Sequence, residues 1–171
     1  MPSISGNRAG QRRGRRPSGA AHPTCMGTDL RPCIAQLNSF LRGELAAIES
    51  YEQALARIAP SPARETMLEC QGSHRTRAER LRERIEALGG TPAASSGLWG
   101  TLAKMLEGGA TALGERVAIA TLEEAEDHYL RDYCADLDRL DAGSRELVEK
   151  EILPLQVRSH RALSGLKMAT Y

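Results

Sequence analysis

The stretch GELAAIESYEQAL, residues 43–55, decides the fold. Read outward from it, apolar residues between Ile34 and Ile58 step by fours and threes through Leu37, Leu41, Ile48, Tyr51 and Leu55. That is the core stripe of a long amphipathic helix. A second stretch, AEDHYLRDYCADL at residues 125–137, repeats its spacing. Glu126 stands seven before Tyr133 as Glu44 stands seven before Tyr51, and Leu follows each Tyr four residues on, at Leu55 and Leu137.

Each stretch is followed by a partner. Pro60 and Pro62 close the first helix, Ser61 caps the next with Pro62 in its first turn, and a stripe runs through Met67, Ala78, Leu81, Ile85 and Leu88 to the stop at Gly89, Gly90 and Pro92. A third stripe passes Ile119, Leu122, Tyr129, Tyr133, Leu137 and Leu140, and a fourth Leu147, Leu153, Leu163 and Leu166. Pro154 is expected to bend or unwind the fourth helix near its start. Between the pairs, Gly89 to about Gly114 is too long for a turn and carries a short amphipathic piece, Leu98, Trp99, Leu102 and Leu106. The reading is all-α: a four-helix bundle of two hairpins joined by one long crossover containing a short helix. Ser-His-Arg recurs at 73–75 and 159–161, and the Glu-to-His spacing differs by four residues between the halves, so an internal duplication is expected.

A chain of 171 residues suits one domain. The expected division is a basic tail over residues 1–28 and the bundle over 29–171. Arg8, Arg12, Arg13, Arg15 and Arg16 stand among Gly, Ser and Pro, the composition of a disordered tail, or of a start read too early with Met26 as the true beginning. With a net charge of +1, the bundle carries no field calling for nucleic acid, which is expected only through that tail; neither a membrane partner nor a secretory signal is expected. Cys25, Cys33, Cys70 and Cys134 form no C-x-x-C pair and are read as reduced packing residues, so the expected compartment is the cytoplasm. The run Arg75, Arg77, Arg80, Arg82 and Arg84 interleaves with Glu79, Glu83 and Glu86 at helical spacing and reads as a solvated face. His128 is expected at the surface, and Gly72 is expected to permit a close helix approach or a π-bulge.

Polar residues interrupt every core stripe near its middle: Glu44, then Gln71 and His74, then Glu126, then His160. Buried without partners they would cost several kcal/mol, so they must pair with one another, with water or with a metal. The pattern, from about Cys33 to Met168, resembles the ferritin-like superfamily, and most of all its small uncharacterised bacterial families with "GEL…Y" in the first helix and "SH" in the second and fourth. In the dimetal members the first and third helices each give a Glu, and the second and fourth a Glu-x-x-His. The resemblance implies Glu44, His74, Glu126 and His160 as ligands, but at the positions three before each His the bridging Glu is replaced by Gln71 and Val157. Two carboxylates with two neutral imidazoles balance one divalent ion and leave a pair of ions uncompensated by about two charges. A mononuclear iron or manganese site follows, zinc also suiting the donors, with Glu123 as an extra ligand and Glu124 next.

Two functions stand open: a metal-binding ferritin-like protein in iron, oxygen or stress chemistry, or a metal-free bundle serving as an interaction or stress-response module. A homodimer is the expected assembly in either. No G-x-S-x-G, phosphate-cradling Gly loop, Cys metal cluster or nucleophile triad points to another enzyme class.

Overall fold

A computed structural model describes residues 29–97 and 114–170. Those residues are helical, without strands, and form a bundle. Helix α1 spans Arg31–Leu55, α2 Pro62–Ala87 and α3 Glu115–Ala135. The fourth arm is a rod in three pieces: α4 (Ala142–Leu147), a π-helical turn (Val148–Ile152) and α5 (Leu153–Thr170). The residues 1–28 assigned to the tail, and the Leu98–Leu106 segment with Trp99, lie outside the described residues.

Local chemistry sets the ends. The Ser61 hydroxyl accepts from the Arg64 N–H at 3.1 Å, with Pro62 in the first turn. At the other end of α2, Gly89 takes φ +76°, its N–H reaches the Glu86 carbonyl, and the Gly90 N–H reaches that of Ile85, the paired bonds of a Schellman stop. Asp141 caps α4 through the Ser144 N–H. Pro154 acts as expected: it has no N–H for the α-helical ladder, and just before it the Leu153 N–H reaches back to the Val148 carbonyl, widening the turn to π.

Side-chain bonds orient the rods. Ser61 meets Glu115, so α2 and α3 begin at the same end; Cys33 meets Asp141, so α1 and the fourth arm begin at the opposite end. Thus α2 and α3 run parallel, and α2 ends at the end of the bundle opposite to the one where α3 begins. The hairpins α1–α2 and α3–α5 pack against each other through α2 on α5 and α1 on α3. Two large apolar clusters result, one around Leu37, Leu41, Leu81 and Ile152, the other around Tyr51, Met67, Ile119 and Leu163.

Four expectations are corrected. On the fourth arm Leu163 is buried as expected, but Val148 and Ile152 hold the fully buried places, and Leu147 and Leu153 pack half-buried against the same cluster. Cys134 is exposed, although Cys33 and Cys70 are buried. Arg77, assigned to the solvated face, is 0% exposed. Gly72 lies within an unbroken α-helix, and a Cβ there would meet nothing within 4 Å, so it serves no close approach.

The glycines give a paired prediction. Gly72→Ala should stabilise the protein by about 0.5–1 kcal/mol, because a helical backbone is freed of glycine's unfolded entropy. Gly90→Ala should destabilise by about 1–3 kcal/mol, because its Cβ would start 2.7 Å from Ile34 Cγ2 and 3.0 Å from Ile85 Cγ2. Urea denaturation of the two variants measures both signs.

Candidate functional site

Between the two apolar clusters lies a polar layer made by all four rods. Helix α1 gives Glu44, α2 gives His74 and Arg77, α3 gives Glu126, and α5 gives Gln156 and Ser159, each at most 3% exposed. His74 lies between the carboxylates, Nδ1 2.7 Å from Glu44 Oε2 and Nε2 2.9 Å from Glu126 Oε1. Arg77 Nε donates to Glu44 Oε1 at 2.9 Å, and its Nη1 reaches Ser73 Oγ at 2.8 Å and Ser159 Oγ at 3.4 Å.

The two Glu-x6-Tyr repeats cross over. Tyr51 of α1 donates to Glu126 Oε1 at 2.6 Å, and Tyr133 of α3 donates to Glu44 Oε1 at 2.6 Å. Glu126 Oε2 takes a bond from Gln156 Nε2 at 2.7 Å, whose other N–H reaches the Glu126 carbonyl at 2.9 Å. Every carboxylate oxygen in the layer therefore has at least one donor. Within the layer the orphan is Gln156 Oε1, buried with no partner among the described residues.

Charge decides the protonation states. Burial pushes the Glu44 carboxyl up, but Arg77 and His74 outweigh it and hold the group at about 2. Glu126 is lowered for the same reason: burial opposes ionisation, and His74, Tyr51 and Arg77 together overcome it. Burial and Arg77 pull His74 down, while the two carboxylates raise it further than they pull, so the net shift is upward. Nδ1 is contested, since Arg77 Nη2 also lies 2.6 Å from it. Protonated, Nδ1 donates to Glu44; deprotonated, it accepts from Arg77. Two carboxylates against one guanidinium favour the imidazolium, and the layer then sums to zero charge. Tyr51 and Tyr133 are raised by burial and by the carboxylates they serve, so both remain neutral donors. Such a chain, from Tyr51 through Glu126, His74 and Glu44 to Tyr133, holds its one titratable proton at His74, which this layer keeps more firmly than a free imidazole would.

Of the residues expected to bind metal, Glu44, His74 and Glu126 are brought together. His160 is not: it is one residue, about 100°, around the helix from Ser159, and its Nε2 faces Asp127 Oδ1 at 3.8 Å. Glu123 is engaged by Lys167 at 2.7 Å and Ser164 at 3.1 Å, and Gln71 Nε2 donates to the Ile48 carbonyl at 3.2 Å. Glu124 is exposed. Sequence reasoning missed Arg77 and Gln156. For Arg77 the signal was its place three after His74 and four before Leu81, on the buried stripe. For Gln156 it was spacing: His74 lies 30 residues after Glu44, and Gln156 lies 30 after Glu126. The halves therefore match in register without a shift, and the repeated Ser-His-Arg is not the structural repeat.

As a metal site this donor set fits poorly. Both ring nitrogens of His74 and all four carboxylate oxygens are engaged by protein groups, and a guanidinium lies where a cation would sit against Glu44. Among the described residues, no three His, Cys, Asp or Glu side chains are arranged to hold one ion. No helix among them is long and apolar enough to cross a membrane.

The model of one protein family, described as Domain of unknown function (DUF2383), matches residues 33–138, which include α1, α2 and α3. Neither the curated proteins nor the solved structures give a match.

Arg77→Met should destabilise by about 3–5 kcal/mol, because it leaves Glu44 undercompensated in the core, and adding Glu44→Gln should recover part of that loss. Stability should also follow the titrations. The Glu44 term is present above its ordinary 4.5 and lost as pH falls towards 2; the His74 term is present below its ordinary 6.5 and lost as pH rises through its elevated folded value. The layer's contribution is thus greatest between about 4.5 and 6.5. In denaturant titrations across pH, His74→Gln should remove the alkaline decline and leave the acid one.

Proposed function

The chain belongs to the DUF2383 family, and we propose that it is a ferritin-like bundle whose buried carboxylates are neutralised by its own Arg77 and His74, so that it works as a metal-free binding module. The Arg77–Glu44 bond at 2.9 Å carries this reading. Two buried carboxylates need two positive charges, and a guanidinium with an imidazolium supplies both. The ferritin-like arrangement is supported by two hairpins, parallel α2 and α3, and a polar layer at mid-height drawn from every rod. As a redox site the layer lacks an open position, since each oxygen already accepts a hydrogen bond; as a scaffold it needs none.

The test is metal titration. Protein dialysed against chelator and mixed with Fe2+, Mn2+ or Zn2+ should retain less than a tenth of an equivalent after gel filtration, with an unchanged melting temperature. Stoichiometric retention that His74→Ala abolishes would overturn the proposal and restore the metal-site reading.

For the assembly we propose a homodimer. The exposed large apolar side chains among the described residues are Leu68, Val117 and Met168. They belong to the early turns of α2 and α3 and the late turns of α5, which share one end of the bundle. Leu68→Glu with Met168→Glu should convert a dimer to a monomer in sedimentation velocity, with little effect on the helical signal.

A further inference from the structure

A cavity of about 120 Å³ opens between α1 and α3 beside the polar layer. Its walls are of two kinds. Phe40, Tyr129 and Tyr133 supply aromatic surface; Glu44, Asp132 and Asp136 supply carboxylates, and no basic side chain lines it. Gly43 keeps the space open, since a Cβ there would meet the Tyr129 ring at 3.6 Å and any longer side chain would fill the gap.

Three features indicate what it would hold. First, Tyr129 is 6% exposed and lines the cavity, and its hydroxyl has no hydrogen-bond partner among the described residues. That hydroxyl is not one of the fully buried polar atoms, so it is open to bond with an occupant of the cavity. Second, the mouth carries two like charges. Asp132 is raised by burial and by Asp136, which outweigh His128 and Arg131, and a cation there would relieve both carboxylates. Their present partners are weak: His128 at 3.4 Å and Arg139 at 3.3 Å are both exposed side chains, and Gln36, which donates to Asp136 at 3.1 Å, is neutral. Third, the size is close to that of the roughly 150 Å³ cavity that holds benzene, room for a molecule of about five heavy atoms.

We infer that this cavity binds a small organic cation of the primary alkylammonium class, its charge met by Asp132 and Asp136 and its body by Phe40, Tyr129 and Tyr133. A cation over aromatic faces and between carboxylates gains from both, and the aromatic walls reject a fully hydrated inorganic ion. The inference goes beyond the metal-free reading: the cavity shares Glu44 and Tyr133 with the polar layer, but the carboxylates that meet the ligand's charge, Asp132 and Asp136, lie outside it.

The probe is n-butylammonium, titrated calorimetrically into the full chain in chelator, with n-butanol as the neutral isostere. One equivalent should bind at least tenfold tighter than butanol and weaken at high salt. Asp132→Asn with Asp136→Asn should lower affinity tenfold or more, and Gly43→Leu should abolish binding. Should a variant fold poorly, amide shifts of the wild type on adding butylammonium are expected at residues 36–44 and 129–136. Equal binding of butanol, no saturable heat at 10 mM ligand (roughly the weakest useful range for so small a molecule), or shifts confined elsewhere would overturn the inference. The metal titration reads the core separately, so failure of either proposal is distinguishable from failure of the other.

Discussion

Glu44 and Glu126 are two carboxylates inside a helix bundle, and the structure depends on how they are kept charged. An isolated ionised carboxyl in such a place would cost many kcal/mol, so it must be neutral or fully met. Here it is met from every side: Arg77 and Tyr133 on one oxygen of Glu44, His74 on the other, Tyr51 and His74 on one oxygen of Glu126, Gln156 on the other. These bonds tie all four rods at one height, and the apolar clusters lie above and below them. A slip of one residue along any rod would rotate a donor about 100° away from its acceptor and leave charge uncompensated. The layer thus fixes the register that leucines alone would leave degenerate.

The layer is nearly two-fold symmetric, and where it departs from symmetry the charge count gives the reason. Glu44 matches Glu126 and Tyr51 matches Tyr133, each tyrosine serving the carboxylate of the other hairpin. On the partner helices the match breaks: His74 corresponds to Gln156, and Arg77 to Ser159. All the positive charge comes from the first hairpin. A second His and a second Arg would add up to two charges with no carboxylate to receive them, so a neutral donor and a hydroxyl fit the second hairpin. The remaining cost is the unpartnered Gln156 Oε1, a neutral acceptor and thus the cheaper group to leave unmet.

The fold was legible because periodicity reports burial directly. Leu37, Leu41, Tyr51, Met67, Leu81, Ile119 and Tyr133 were placed on core faces, and all are buried. The stops at Pro60 and Gly89 and the local unwinding at Pro154 were legible because Gly and Pro act through the backbone alone. Half of the site was legible too, since Glu44, His74 and Glu126 interrupt apolar stripes. Arg77 was hidden by its neighbours: in a run of alternating Arg and Glu, one buried guanidinium has the same local composition as its exposed companions. His160 misled through a tripeptide match: it lies four residues beyond Gln156 and one beyond Ser159, and its ring is turned to Asp127 instead of into the layer. On the fourth stripe Leu147 and Leu153 reach the core only half-buried, because the π turn Val148–Ile152 between them changes the local count per turn and turns Val148 and Ile152 fully inward.

Two carboxylates facing each other across a bundle do not by themselves indicate a metal. They indicate a need for two positive charges, which one divalent ion meets, and which a guanidinium with an imidazolium meets equally. The two solutions exclude one another, because Arg77 takes the same Glu44 oxygen that an ion would need and His74 spends both ring nitrogens on the carboxylates. Glu44, His74 and Glu126 are common to both arrangements and cannot tell them apart. The discriminating residue is the one at position 77, one turn beyond the histidine. An arginine there closes the charge balance from within the chain; a short neutral side chain would leave it open to an ion from outside.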